Sequence, residues 1–202
     1  MQLIARGRGP LDEIKRICVE LIQVKKSVST ELTRTNIAEI QDLLAEAPKK
    51  LERFSEGLSV EQFAKALGRG ERSFTENLAH MLHCEARSSE ATYLALLANE
   101  PTLAGIHSER DFGNLVRYDL QAFSDLLAYF KFRRNVLLRV LSSLTDKQWS
   151  RGIREAGKQR KESVYWQARG IAMHEVEHVS EMERKLKEES SSRRFAKRAV
   201  MD

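Results

Sequence analysis

The sequence predicts an all-α fold, a four-helix bundle preceded by an extra N-terminal amphipathic helix. Three observations carry that expectation. Proline and glycine number only three and ten among 202 residues, while the strong helix formers Leu, Ala, Glu, Lys and Arg are abundant. Apolar residues recur at steps of three and four over long stretches. Neither strand-like alternation nor an internal repeat stands out. Long amphipathic helices joined in this way bury their apolar stripes against one another as a bundle.

Residues 1–35 read as an N-terminal extension. After a basic start, Leu11, Ile14, Cys18, Leu21, Val28 and Leu32 keep a helical rhythm that Lys25 interrupts. Such a seam packs on the main domain or pairs with a second copy. The bundle spans residues 36–187. Asn36 is read as the cap of its first helix, whose stripe is Ile37, Ile40, Leu44, Leu51 and Phe54, with Pro48 as a bend or break. Gly57 ends that helix and Ser59 caps a short turn through Phe63 and Leu67. After the Gly68-Arg69-Gly70 loop, Ser73 and Glu76 form a capping box that opens a second helix running to about Ala98.

Pro101 to Gly113 reads as a polar loop over one end of the bundle. A third helix is expected from about Leu115 to Leu144, with Tyr118, Phe123, Leu126, Leu127, Phe130, Val136, Leu137 and Leu141 inward. Beyond Thr145–Trp149 comes a glycine-punctuated segment, then a fourth helix from Ser163 to Leu186 broken in pattern only by Gly170. Residues 188–202, with their serine run and basic side chains, are expected to form a disordered tail.

Composition narrows the function classes. A hydrophobic share of 42% with 31% charged residues describes an ordinary globular protein. No apolar run approaches the roughly 18 residues of a membrane span, and the first ten residues lack the apolar core of a secretory signal. Cys18 and Cys84 make no disulfide framework, so a cytoplasmic location is expected. The net charge of +5 sits largely at the chain ends, in Arg6, Arg8, Arg193, Arg194, Lys197 and Arg198. No nucleic-acid signature accompanies it, so neither a specific nucleic acid nor a membrane is an expected partner.

The chemistry concentrates in His174-Glu175-Val176-Glu177-His178. Two imidazoles four residues apart share one face of a helix, one turn apart. They lie on a stripe with Ile171 and Met182. The spacing suits half of a metal site, and equally two packed, hydrogen-bonded histidines. A third ligand would come from His80, His83, His107 or Cys84, among which helical periodicity prefers His80 only slightly. Glu85, Glu175 and Glu177 are candidate acceptors for the imidazole N–H groups. The same five letters fit the zinc-protease pattern H-E-x-x-H with Glu175 as general base. Position 181 is Glu and 184 is Arg, however, so the extended pattern with a downstream Gly and His is missing, and no strand is evident in the sequence before the helix.

The run Phe74-Thr75-Glu76-Asn77-Leu78-Ala79-His80-Met81 on the second helix, with His174-Glu175-Val176-Glu177-His178 on the last, resembles the DinB-like superfamily of four-helix-bundle metalloenzymes. That superfamily includes the YfiT-like thiol transferases. The resemblance covers residues 36–187 and implies that His80, His174 and His178 bind one divalent metal ion, zinc, nickel or iron. His83 stands where the family commonly has an acidic residue. The resemblance further implies a homodimer and activation of a small thiol for transfer, or secondly of water for hydrolysis. It names no catalytic residue beyond the ligands. Three neutral imidazoles leave the ion its full charge and an open position, at which a thiol or water becomes acidic. The alternative is a non-catalytic helical metal-binding or stress-response module, with His83 or Cys84 closing the coordination sphere.

Overall fold

The computed structural model describes residues 28–157 and 159–199. Helix α1 (Arg34–Ser55) starts one turn earlier than expected, because Thr33 rather than Asn36 is its cap. The Thr33 hydroxyl accepts the Asn36 backbone N–H at 3.2 Å, while the Asn36 amide donates to the Glu31 carbonyl at 2.8 Å. Pro48 lies inside α1 without ending it. A proline at this position leaves the carbonyl four residues earlier without its helical donor. That carbonyl belongs to Leu44, and Arg134 Nη1 donates to it at 2.6 Å. A side chain from another helix thus replaces the missing backbone donor.

Helix α2 (Val60–Ala64) and helix α3 (Phe74–Leu97) each open on a capping box, Ser59 with Gln62 and Ser73 with Glu76. The segment expected as a polar loop instead holds strand β1 (Thr102–Leu103) and helix α4 (Ser108–Leu115), followed by a 3-10 turn (Tyr118–Leu120). Helix α5 (Phe123–Ser142) therefore begins eight residues later than Leu115, and Tyr118 sits in the turn before it. Val136, expected inward, is exposed. After α6 (Asp146–Trp149) come β2 (Gly152–Glu155) and β3 (Lys161–Ser163), then the long helix α7 (Val164–Ala199). The three strands form one sheet in the order β1-β2-β3, with β1 parallel and β3 antiparallel to β2. Strands of two to four residues are too short to display a period of two, which is why the sequence conceals them.

Helices α1 and α3 both pack against α5 and α7, which gives the four-helix bundle. Its apolar core falls into two clusters. One gathers Ile37, Ile40, Leu44, Leu137, Leu141, Trp149 and Tyr165; the other gathers Leu51, Phe54, Phe74, Leu78, Phe130, Val179 and Met182. Along α5 the buried Arg134 separates them, and along α7 the segment from His174 to His178 does. The segment leading into α1 is tied to α7: Arg169 Nε donates to the Val28 carbonyl at 3.0 Å and Tyr165 Oη to that of Ser29 at 2.7 Å. The remainder of the expected N-terminal helix lies outside the described residues. Helix α7 continues to Ala199, into the stretch expected to be disordered; that stretch has no proline and is rich in helix formers. No helix among the described residues is long and apolar enough to cross a membrane.

Candidate metal centre

His80 lies in the second turn of α3, oriented by the rigid capping box at Ser73. His174 and His178 project from successive turns of α7. Packing of α3 on α7 brings the three rings together. His174 Nε2 lies 3.2 Å from His80 Nε2 and 3.2 Å from His178 Nε2, and one nitrogen from each ring falls within 4.8 Å of the others. His83, His107 and Cys84, the other candidate ligands, are not in that group.

A ring nitrogen carries either one N–H or one lone pair, never both. His174 Nε2 can therefore satisfy only one of its two close contacts by a hydrogen bond. The other contact then either shares that same hydrogen or lone pair, or sets two lone pairs or two N–H groups against each other. One cation among the three nitrogens satisfies every lone pair at once. With metal–nitrogen bonds of about 2.0–2.1 Å, tetrahedral coordination separates ligand nitrogens by roughly 3.3 Å. The two observed separations of 3.2 Å agree with that spacing. The three histidines therefore fit a divalent ion.

The electrostatics agree. Burial lowers the pKa of all three histidines, and Arg72 and the neighbouring imidazoles push that of His80 down further, to about 4. Glu177 opposes the shift at His174 and His178. Neutral rings with free lone pairs are the form a metal requires. His174 Nδ1 and His178 Nδ1 are buried with no hydrogen-bond partner among the described residues, so none of the candidates Glu85, Glu175 and Glu177 receives them. Glu85 and Glu175 are engaged elsewhere. Glu85 accepts Arg133 Nε at 2.7 Å and Ser89 Oγ at 2.9 Å. Glu175 is held at both oxygens by Arg134, with Nη1 at 2.8 Å from Oε2 and a second, shorter bond from Nη2 to Oε1. Both partners of this pair are fully buried.

The position of Glu175 bears on the H-E-x-x-H reading. A protease base must reach a water on the metal, yet this carboxylate is clamped into the bundle core by a guanidinium. Burial still pushes its pKa up against the pull of Arg134. The remaining candidates separate from the cluster in different ways. His83 stacks on Tyr118 at 5.9 Å between ring centres, and a Cβ at Gly113 would come within 2.5 Å of its Nε2. Cys84 Sγ lies 3.8 Å from His80 Nε2 and 4.0 Å from its Nδ1, alongside the ring, and burial raises the thiol pKa. His107 stands across a cavity of about 460 Å³ that His80, Cys84, Trp166, Ile171 and His174 also line.

Sequence reasoning missed Arg133, Arg134 and Arg110. A signal existed for one of them: Arg134 stands between Phe130 and Leu137 at helical spacing, a charge in the middle of an apolar stripe.

Comparison with known proteins agrees with this geometry. The family model for the DinB superfamily matches residues 43–182. Among solved structures, the chain is similar to YfiT from Bacillus subtilis, described as a probable metal-dependent hydrolase with an unusual four-helix bundle topology. The match has a TM-score of 0.71 at 17% identity and covers 80% of this chain and 92% of that one. At that identity it speaks for the fold. No curated protein sequence matches the chain significantly.

Proposed function

Since the chain belongs to the DinB superfamily, we propose that it is a metal-dependent enzyme whose three-histidine centre activates a small thiol for transfer. The observation that carries the reading is the convergence of His80, His174 and His178 on one point, where a single cation would satisfy all three ring nitrogens at once. A zinc, nickel or iron(II) ion held there would lower the pKa of a coordinated thiol toward neutrality, making a thiolate available at physiological pH.

The chain's own side chains supply the rest. Trp166 and Ile171 give the cavity an apolar wall that receives the organic part of a small substrate. His83 lines the same cavity. Burial lowers its pKa, which favours the neutral ring. Hydrolysis is the second reading, supported by the description of the YfiT neighbour; it uses the same ligands with water in place of the thiol. We place the protein in the cytoplasm as a homodimer in either case.

Elemental analysis of the untagged protein tests the centre. We expect about one divalent ion per chain, lost in His80→Ala and in His178→Ala and kept in His83→Ala and His107→Ala. Full metal retention in His178→Ala would sink the assignment. The loaded protein should then catalyse conjugation of a small thiol to chlorodinitrobenzene. Cleavage of ester or amide substrates without any thiol dependence would select hydrolysis instead.

A further inference from the structure

The histidine cavity does not end at the histidines. A second cavity of about 360 Å³ opens toward Tyr93, Leu94 and Glu90, and the two share His83, Arg87, His107 and Arg110. The waist between the lobes is thus built from cations and imidazoles. Arg87 is committed to the fold, with Nη2 donating to the Ala104 carbonyl at 2.6 Å, Nη1 to that of Ile106 at 3.0 Å, and Glu155 at 3.3 Å. Arg110 is different. Its Nε donates to Asp111 at 2.9 Å, and its two terminal nitrogens have no hydrogen-bonded partner among the described residues.

The charge at the histidine centre points the same way. Three neutral ligands leave a bound ion's double charge uncompensated, and Arg72 adds a positive charge that all three histidines feel. The one acidic side chain lining the larger lobe, Glu162, already accepts Gln167 Nε2 at 2.7 Å. Of the acids on the second lobe, Glu109 accepts the Tyr118 hydroxyl at 2.9 Å and Glu90 pairs with Arg87 Nη1 at 3.5 Å, while Glu155 stands 4.0 Å from His107 Nε2. A ligand anchored at the centre and extended toward the second lobe passes Arg110, which lines both cavities.

We propose that the waist is an anion subsite: the ligand anchored at the histidine centre carries a carboxylate that Arg110 receives, with His107 beside it, and continues into the second lobe. This rests on the metal-centre reading above and narrows its ligands to elongated, anionic molecules. A planar guanidinium with both terminal nitrogens available matches a carboxylate in a forked pair.

The test uses the full chain loaded with cobalt(II), titrated with mercaptohexanoate and, separately, mercaptohexanol, and read by thiolate-to-cobalt absorption. The carboxylate thiol should bind roughly three- to tenfold more tightly, the scale for a charge-assisted hydrogen bond at a half-exposed site. That advantage should shrink as salt is raised. Arg110→Gln should abolish it while leaving the affinity for mercaptohexanol unchanged. Shorter mercaptoalkanoates, unable to span from the centre to the waist, should lose the advantage too. Equal affinities in the unaltered protein, or a preference that survives Arg110→Gln, would overturn the subsite and leave the metal centre standing. Absence of any cobalt–thiolate absorption, with either thiol, would overturn the metal-centre reading itself.

Discussion

Replacing Arg134 with Met exposes how the polar layer of this bundle is held. The guanidinium satisfies two groups at once, the Glu175 carboxylate and the Leu44 carbonyl that Pro48 leaves without a helical donor. Removing one partner of a buried ion pair typically costs about 3–5 kcal/mol, because a charge is left alone in a medium that solvates it poorly. Against a total stability of about 5–15 kcal/mol, that is a large fraction. At roughly 2–4 °C per kcal/mol for a domain of this size, the melting temperature should fall by about 6–20 °C. The deficit should depend on pH. Without Arg134, Glu175 has its folded-state pKa raised above its unfolded value, so the variant recovers stability as pH falls and is weakest at neutral pH and above.

Adding Glu175→Met removes the orphaned charge and should restore most of the loss. The Leu44 carbonyl would still lack a donor, a residual cost of about 1–3 kcal/mol. Adding Pro48→Ala as well supplies the missing backbone N–H and should recover that residue. Urea unfolding of the metal-free proteins would measure each step. The reasoning fails if Arg134→Met costs less than about 1 kcal/mol, well below the buried-pair range. It fails equally if Pro48→Ala stabilises the unaltered protein as much as it stabilises the double variant.

Four further outcomes are expected. Gly113→Ala would bring a Cβ within 2.5 Å of His83 Nε2 and 2.6 Å of the Tyr118 ring, so thermal unfolding should show a loss of about 1–3 kcal/mol, the usual cost of overpacking. Ser73→Ala removes the hydroxyl that accepts the Glu76 backbone N–H at 3.1 Å and should cost about 1 kcal/mol in the same measurement. The lowered histidine pKa values, to about 4 at His80, mean that protons compete weakly for the ligands. Metal affinity measured against a competing chelator should therefore stay level as pH falls through about 6.5, the value for free imidazole. An affinity that begins to decline near neutrality would contradict that. Metal-free protein should lose stability over the same descent, because the folded state resists protonation that the unfolded chain accepts.

Much of this structure is legible in the sequence because it depends on local chemistry. The Ser59 cap and the Ser73 capping box satisfy backbone donors within four residues, and both appear where the sequence puts them, Ser59 gaining Gln62 as the return partner. Ile171 and Met182 at the ends of the stripe are buried, and between them the half-buried His174 and His178 are carried toward His80. What the sequence conceals is set by distant partners. The pairing of β2 with β1 joins segments about fifty residues apart, through strands too short to mark themselves. The start of α5 shifts because Arg117 turns the chain with a positive φ of 57°, ending one helical run before the next begins. Periodicity across that turn reads as continuous. The passage of α1 through Pro48 is decided by Arg134, which lies on another helix.

A His-Glu-x-x-His helix presents two different faces, and what packs on each decides its chemistry. The imidazoles at positions four apart differ by about 40° around the axis, whereas the intervening Glu stands roughly 60–100° away from each. In a protease both faces must address one metal-bound water. Here α3 covers the histidine face with a third imidazole, while α5 covers the other with Arg134. The same five residues are thereby divided: two hold the ion's place, and the glutamate locks the helix rotation that aims them. The motif's carboxylate serves as an anchor because an arginine stands at position 134 and a proline at 48. That division predicts that a variant lacking the Glu175 charge, once Arg134 is also replaced, keeps its metal while the isolated Glu175 substitution unfolds more easily. Metal content that follows Glu175 rather than the histidines would reverse the assignment of faces.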